Sequence, residues 1–310
     1  MTRVVRIAAW QYPIEQLASW EAWREKLAAG IGEAAANGAA VCVVPEYASM
    51  ELTSLLPDAA QATLEGQMAG LQPMLAGYLE AYAALARQHG VVIVGGSFPE
   101  RIATGALVNR ARIHGPGGDA IAVDKLQMTR FERESWGVAP GAGQTVVDLE
   151  PLGARFAGAR LGVAICYDSE FPLIVRRLAV AGADLIAVPS CTDAAAGYHR
   201  VRIACQARAL ENQCYVIQAP TVGTAPWSIA VDTNVGSAGV YAPSDRDLPD
   251  DGVVAIGPYC EPGWVVADLD LEVTAAARRD GLVLGSRDWD LPGHTGGAVA
   301  SAALAYPRGK

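Results

Sequence analysis

LGVAICYDSEFPLIVRRLAVAGADLIAVPS, Leu161–Ser190, sets two apolar runs on either side of an acidic, proline-broken turn, with Cys166 at the first junction. Short apolar runs bounded by turn residues read as buried strands, so strands are expected at Leu161–Ile165 and Leu185–Val188, with a helix over Pro172–Ala181 between them. Cys166 then follows its strand directly and opens a strand-to-helix elbow. Side chains at the carboxyl ends of strands line the crevice in which open α/β proteins bind ligands. Backbone N–H groups pointing out of such a turn can stabilise a developing oxyanion. The thiol is therefore placed to be a nucleophile, although a cysteine after a strand is more often a small buried apolar residue.

The same alternation runs along the whole chain, which is how a sheet covered by helices is written. Val4–Trp10 reads as a strand, Trp20–Asn37 as an Ala-rich helix and Ala40–Val44 as a second strand ending at Pro45-Glu46. Met68–His89 is helical in pattern, Val91–Glu100 is a strand running into a turn, and ALVNRARIHGPGG with AIAVDK reads as two strands around a Gly-Pro turn. The second half repeats the style, with a helix at His199–Asn212, a strand at Cys214–Gln218, and GSAGVYAPSD and GWVVADLD resembling the hairpin partners of the first half. No linker divides the halves, so residues 1–285 are expected to form one domain. Periodicity is lost after about Gly285, and residues 286–310 are expected to be a loosely ordered tail or to pack on a neighbouring subunit.

Composition excludes several classes of function. The chain of 310 residues is 51% apolar and 18% charged, ample for a large buried core. A net charge of −9 and a pI near 5.0 remove the attraction that nucleic-acid phosphates or anionic membranes require, so neither is expected as a partner. MTRVVRIAAWQYP reaches Gln11 and Pro13 too soon for a signal sequence, and no eighteen-residue apolar run exists; a cytoplasmic location is expected. Six cysteines, with no C-x-x-C pair, argue neither for a disulfide framework nor for a metal site. Cys42, Cys205 and Cys214 lie in or beside apolar stretches, whereas Cys191 and Cys260 fall in loops and rival Cys166. GVAPGAGQT lacks the G-K-[ST] ending of a phosphate loop, so no nucleotide cofactor is expected. Arg208 and Glu211, three apart on a helix, read as an ion pair.

A reactive thiol needs a base and a charge stabiliser. The four histidines, His89, His114, His199 and His294, all fall away from strand ends, which speaks against a Cys-His pair. Strand ends offer Glu46, after CVVP, and Lys125, after AIAVD. Singly, each has a plainer role in a turn or on a solvated surface; with Cys166 they form a coherent acidic, basic and thiol set at one edge of the sheet.

Six segments in order carry a resemblance: VVPEYA around Glu46, GGSFPE at 95–100, VNRARIHGPGG at 108–118, DKLQMTRFERESWG around Lys125, GVAICYDSEFP around Cys166 and ARALENQCYVI at 207–217. Over nearly its whole length the chain resembles the nitrilase, or carbon–nitrogen hydrolase, superfamily. The resemblance implies a four-layer αββα sandwich, with Glu46 as general base, Lys125 as electrostatic stabiliser and Cys166 as nucleophile. It also implies a second glutamate after the lysine; Glu132 and Glu134 both compete, and the ESWG context favours Glu134. Lys125 is expected to favour a thiolate at Cys166, the oxyanion to be held by Lys125 and the N–H of Tyr167, and Trp136 and Tyr198 to line the pocket. Dimerisation through the layer containing Pro172–Ala181 and the helix from His199 is implied as well. Cys166-Tyr167-Asp168 resembles the amidase and carbamoylase branches, where true nitrilases typically read Cys-Trp-Glu. The expected substrate is a small amide or N-carbamoyl compound, with nitrile hydrolysis and non-catalytic small-molecule or partner binding as the alternatives.

Overall fold

Residues 3–289 are described by a computed structural model. In chain order the strands are β1 (Val4–Pro13), β2 (Val41–Val44), β3 (Val92–Arg101), β4 (Leu107–His114), β5 (Ala120–Asp124), β6 (Val138–Ala139), β7 (Val146–Asp148), β8 (Arg160–Val163), β9 (Leu185–Ser190), β10 (Tyr215–Thr224), β11 (Thr233–Asn234), β12 (Gly239–Tyr241), β13 (Val253–Ile256) and β14 (Gly263–Asp270). The α-helices are α1 (Trp20–Ala36), α2 (Asp58–Gln61), α3 (Leu64–Leu71), α4 (Leu75–His89), α5 (Pro172–Val180), α6 (Ala195–Asn212), α7 (Leu271–Asp280) and α8 (Gly285–Asp288).

Two sheets share one plan. The first runs β14-β1-β2-β3-β4-β5 and centres on parallel β1, β2 and β3. The second runs β13-β12-β10-β9-β8-β7 and centres on parallel β10, β9 and β8. They meet where β1 and β10 pair in parallel, Tyr12 opposite Thr221 and Pro13 opposite Val222.

Period-two alternation sorts the layers. Val5, Ile7 and Ala9 of β1, Val41 and Val43 of β2, and Val92 and Val94 of β3 share one core with β8, β9 and β10 of the second sheet. The alternate residues Ala8, Trp10, Cys42, Val44 and Ile93 face the other way, onto Trp23, Leu27 and Ile31 of α1 and Tyr78 and Tyr82 of α4. Val175 and Leu178 of α5 and Val201 and Cys205 of α6 pack on the second sheet. The result is the expected αββα sandwich.

Local differences from the sequence reading have identifiable causes. The helical pattern over 68–89 is divided at residues 72–74, where Pro73 removes a backbone donor, into α3 and α4. Helix α6 begins at Ala195, so Tyr198 lies in its first turn. Strand β3 continues through Gly95-Gly96 with a register shift between Val94 and Ser97. Gly96 there has φ +54°, and a Cβ would stand 2.7 Å from the carbonyl oxygen of Pro45. The expected tail at 286–310 lies, from residue 290 on, outside the described residues. No helix among the described residues is long and apolar enough to cross a membrane.

Candidate active site

Three strand ends meet. Glu46 follows β2 after Pro45, Lys125 follows β5 directly, and Cys166 follows β8 in a tight turn, Cys166–Glu170, that leads into Pro172 of α5. All three are buried, as is Glu132. The Lys125 ammonium lies 2.7 Å from Oε1 of Glu46 and 2.6 Å from Oε2 of Glu132. Cys166 has φ +47°, a left-handed conformation uncommon for a side-chain-bearing residue. Its Sγ lies 3.9 Å from the carbonyl oxygen of Cys191.

The second glutamate beside the lysine is Glu132, and the expectation of Glu134 is corrected. Residues 132–136 form a single widened, π-type turn capped by Gly137 at φ +68°. Glu132 points inward from it, while Glu134 is 56% exposed and pairs with Arg130 one turn away. Thr129 donates to Glu132 Oε2 through both its N–H and its hydroxyl, each at 2.9 Å. The hydroxyl of Tyr47 and the amide of Asn109 donate to Oε1 at 2.8 and 3.0 Å. Glu132 thus accepts from five donors. Glu46 accepts from three: Lys125, Asn109 Nδ2 at 2.8 Å, and the N–H of Cys191 at 3.1 Å.

That inequality decides which carboxyl can exchange a proton. Burial pushes Glu46 above the ordinary carboxylate value; Lys125 pulls it back, while the negative charge of Glu132 adds to the rise. Burial also opposes ionisation of Glu132, but Lys125, the N–H of Thr129 and Asn109 outweigh it and hold the group below its usual value. Lys125 is held firmly protonated by its two carboxylates in spite of burial. The thiol of Cys166 is pushed well above its usual value by burial and by the charge of Glu46, with Lys125 opposing. The expectation that Lys125 lowers the thiol's pKa is therefore corrected: Lys125 does favour the thiolate, but burial and Glu46 outweigh it, and the thiol keeps its proton until a base removes it. Glu46, which interacts with the thiol, is the group placed to do so.

The surroundings brace this cluster. Gly141 donates its N–H to the carbonyl of Lys125 at 2.8 Å, and a Cβ on Gly141 would stand 2.5 Å from Cβ of Asp124. The glycine-rich loop set aside as a phosphate cradle thus packs against the lysine strand end. Arg208 and Glu211 form the expected ion pair at 2.9 Å, and Arg208 also donates to the carbonyl of Ser169 at 3.1 Å. Trp136 sits against Tyr47, ring centroids 5.1 Å apart, one side chain removed from Glu132. Tyr167, half-buried, meets Phe171 edge to face. Tyr198 is buried with its ring on His199 and Tyr259, and no ring contact joins it to the cluster among the described residues. His114 packs on Tyr82 beneath α4, its pKa lowered to about 4 by burial and Arg112. No group of three or more His, Cys, Asp or Glu among the described residues could hold a metal ion.

Two participants escaped the sequence reading. Tyr47 and Asn109 are neutral, and only their position carries a signal: Asn109 stands in the strand LVNRARIH among residues destined for burial, where an unpartnered amide would be costly.

Known proteins share this plan. The chain is 32% identical over 286 residues to the probable hydrolase YhcX of Bacillus subtilis, covering 92% of this chain and 53% of that protein, so it spans about half of YhcX. Nit3 of Saccharomyces cerevisiae, a member of branch 10 of the nitrilase superfamily, superposes with a TM-score of 0.68 at 21% identity, over 89% of this chain and 93% of Nit3. A variant of the amidase from Nesterenkonia sp. AN1, bearing the acetamide moiety of fluoroacetamide on its active-site cysteine, superposes with a TM-score of 0.64 at 23% identity, over 92% and 96% of the two chains. The carbon–nitrogen hydrolase family model matches residues 6–279, and the chain belongs to the carbon–nitrogen hydrolase family.

Proposed function

We propose that the protein is a thiol hydrolase that cleaves the C–N bond of a small, non-peptide amide or N-carbamoyl compound. The observation that carries the reading is the buried Glu46–Lys125–Glu132 cluster beside a cysteine held at φ +47° at a strand end. Glu46 takes the proton of Cys166 as the sulfur attacks the substrate carbonyl carbon. Two of the three ammonium protons of Lys125 face carboxylates, and the third, with the N–H of Tyr167, receives the developing oxyanion. Collapse expels ammonia or an amine, protonated by Glu46. Water, giving its proton to the same carboxylate, then attacks the thioester, and the sulfur leaves as the thiol is restored. Glu132 stays ionised throughout and anchors the lysine.

Amide is preferred to nitrile because Tyr167 and Asp168 follow the nucleophile. The amidase that shares the fold, with its covalently modified cysteine, supports the same reading. Leu173 and Val180 on α5 and Ile203 and Leu210 on α6 expose apolar surface, which supports a homodimer through that layer. The test is ammonia release from matched amides, N-carbamoyl compounds and nitriles, with adduct mapping on the cysteines. Amide turnover with an acyl adduct on Cys166, abolished in Cys166→Ala, is expected. A higher kcat/KM for nitriles, or an adduct on Cys191 or Cys260, would overturn it. A wild-type protein inert toward both the panel and iodoacetamide would point to the binding role instead.

A further inference from the structure

Asp168 is buried two residues after the nucleophile, and its carboxylate accepts from three backbone N–H groups. One is Ile165, at 3.3 Å, on the near side of Cys166. The other two are Leu126 at 3.1 Å and Gln127 at 2.7 Å, the two residues that follow Lys125. The bond to Ile165 alone is what a capping side chain does for its own turn. The bonds to 126 and 127 are of another kind: they reach from the elbow after β8, in the second sheet, to the chain leaving β5, in the first.

The elbow needs such a constraint. A left-handed conformation costs a side-chain-bearing residue about 1–2 kcal/mol and persists only where its surroundings over-determine it. Ser169 donates its hydroxyl to the carbonyl of Cys166 at 2.6 Å, and Arg208 binds the carbonyl of Ser169, but both contacts hold the elbow within its own half of the molecule. Asp168 is the side chain of the turn that ties it to the lysine segment.

We infer that Asp168 is a positioning residue whose carboxylate clasps the elbow carrying Cys166 to the strand end carrying Lys125, setting the separation between the attacking sulfur and the ammonium that receives the charge. The inference rests on the hydrolase reading above. Asp168→Asn keeps the volume but sets an NH2 group against at least one backbone N–H whichever way the amide is turned. A displacement of about 1 Å between reacting groups can cost on the order of 100-fold in rate. In Asp168→Asn, kcat and the rate of iodoacetamide alkylation at Cys166 are expected to fall together by about that factor, with KM within about threefold. An amide-to-ester replacement at residue 127, which deletes only the N–H of the 2.7 Å bond, should act in the same direction and serves where Asp168→Asn does not fold. Arg208→Met, which loosens the elbow without touching the clasp, should lower Tm and leave kcat of the folded protein near wild type. If the wild-type thiol reacts and both the Asn variant and the ester match it per folded molecule, the inference is overturned and the hydrolase reading stands. A wild-type protein that neither turns over amides nor alkylates at Cys166 takes down that reading and the inference with it.

Discussion

Replacing Glu132 by glutamine is the sharpest test of the site, because the change is small and the structure prices each lost contact. With the amide oxygen at the Oε2 position, the bonds from Lys125 and Thr129 survive but to a neutral acceptor, and the new NH2 faces the Tyr47 hydroxyl and Asn109 Nδ2. Tyr47 can rotate its hydroxyl to accept; Asn109 loses this acceptor and keeps only Glu46. In the opposite orientation the NH2 faces Lys125 and both Thr129 donors, which is worse. Hydrogen bonds to a charged group contribute about 1.5–3 kcal/mol each, so weakening several of them amounts to roughly 3–4 kcal/mol. At about 1.4 kcal/mol per decade, a loss felt in the transition state lowers kcat on the order of 100- to 1,000-fold. Glu134→Gln is the matched control: its exposed pair with Arg130 contributes less than about 0.5 kcal/mol, and activity should stay at wild type. Steady-state ammonia release with a wild-type substrate, alongside thermal unfolding, measures both. A Glu132→Gln enzyme within threefold of wild type, or an inactive Glu134→Gln, would refute the assignment of the anchoring glutamate.

As the base, Glu46 must be ionised, so kcat/KM should rise with pH through its elevated pKa and be lost below it; because the charge of Glu132 contributes to that elevation, Glu132→Gln should move the acid limb to lower pH. An acid limb that stays put or moves up in the variant contradicts the coupling. Lys125→Met leaves two buried carboxylates facing each other, a loss of about 3–5 kcal/mol in stability at neutral pH, and unfolding followed at pH 5 and pH 8 should show the deficit shrink at the lower value, where a proton stands in for the ammonium. Gly96→Ala asks a Cβ to fit 2.7 Å from the carbonyl of Pro45 at φ +54°, and should lower Tm and reduce kcat together by shifting the turn that carries Glu46; an unaltered kcat would show that the turn is not rigid.

The sandwich was legible because each central strand of the sheets is an apolar run broken by a charged or turn residue, and a strand buried on both faces has no other way to be written. The same logic located Glu46 and Cys166, each standing just past such a run, while Lys125 stands just past the short apolar segment of the edge strand β5. The choice between Glu132 and Glu134 was not available, since two glutamates two residues apart face different ways on any helix, and the widened turn at 132–136 that aims the first inward has no compositional mark. The protonated state of Cys166 was hidden for a related reason: how much of the lysine charge remains for the sulfur depends on how many carboxylates surround it, which is a three-dimensional count. Tyr198 was expected in the loop before a helix starting at His199, but α6 begins four residues earlier, at Ala195, and carries it into the helix.

The meeting of β1 with β10 makes the chemistry a property of a seam. Glu46 and Lys125 come from one sheet and Cys166 from the other, and the ends of β1 and β10 join the two through the short parallel pairing of Tyr12 with Thr221 and Pro13 with Val222. A chain cut in the loop near Gly143 would give two pieces, each with its own three parallel strands and its own helical cover, and neither with a complete set of reacting groups. Recovery of turnover on mixing such pieces would therefore report the docking of the sheets to a fraction of an ångström, a far stricter readout than the return of helical signal.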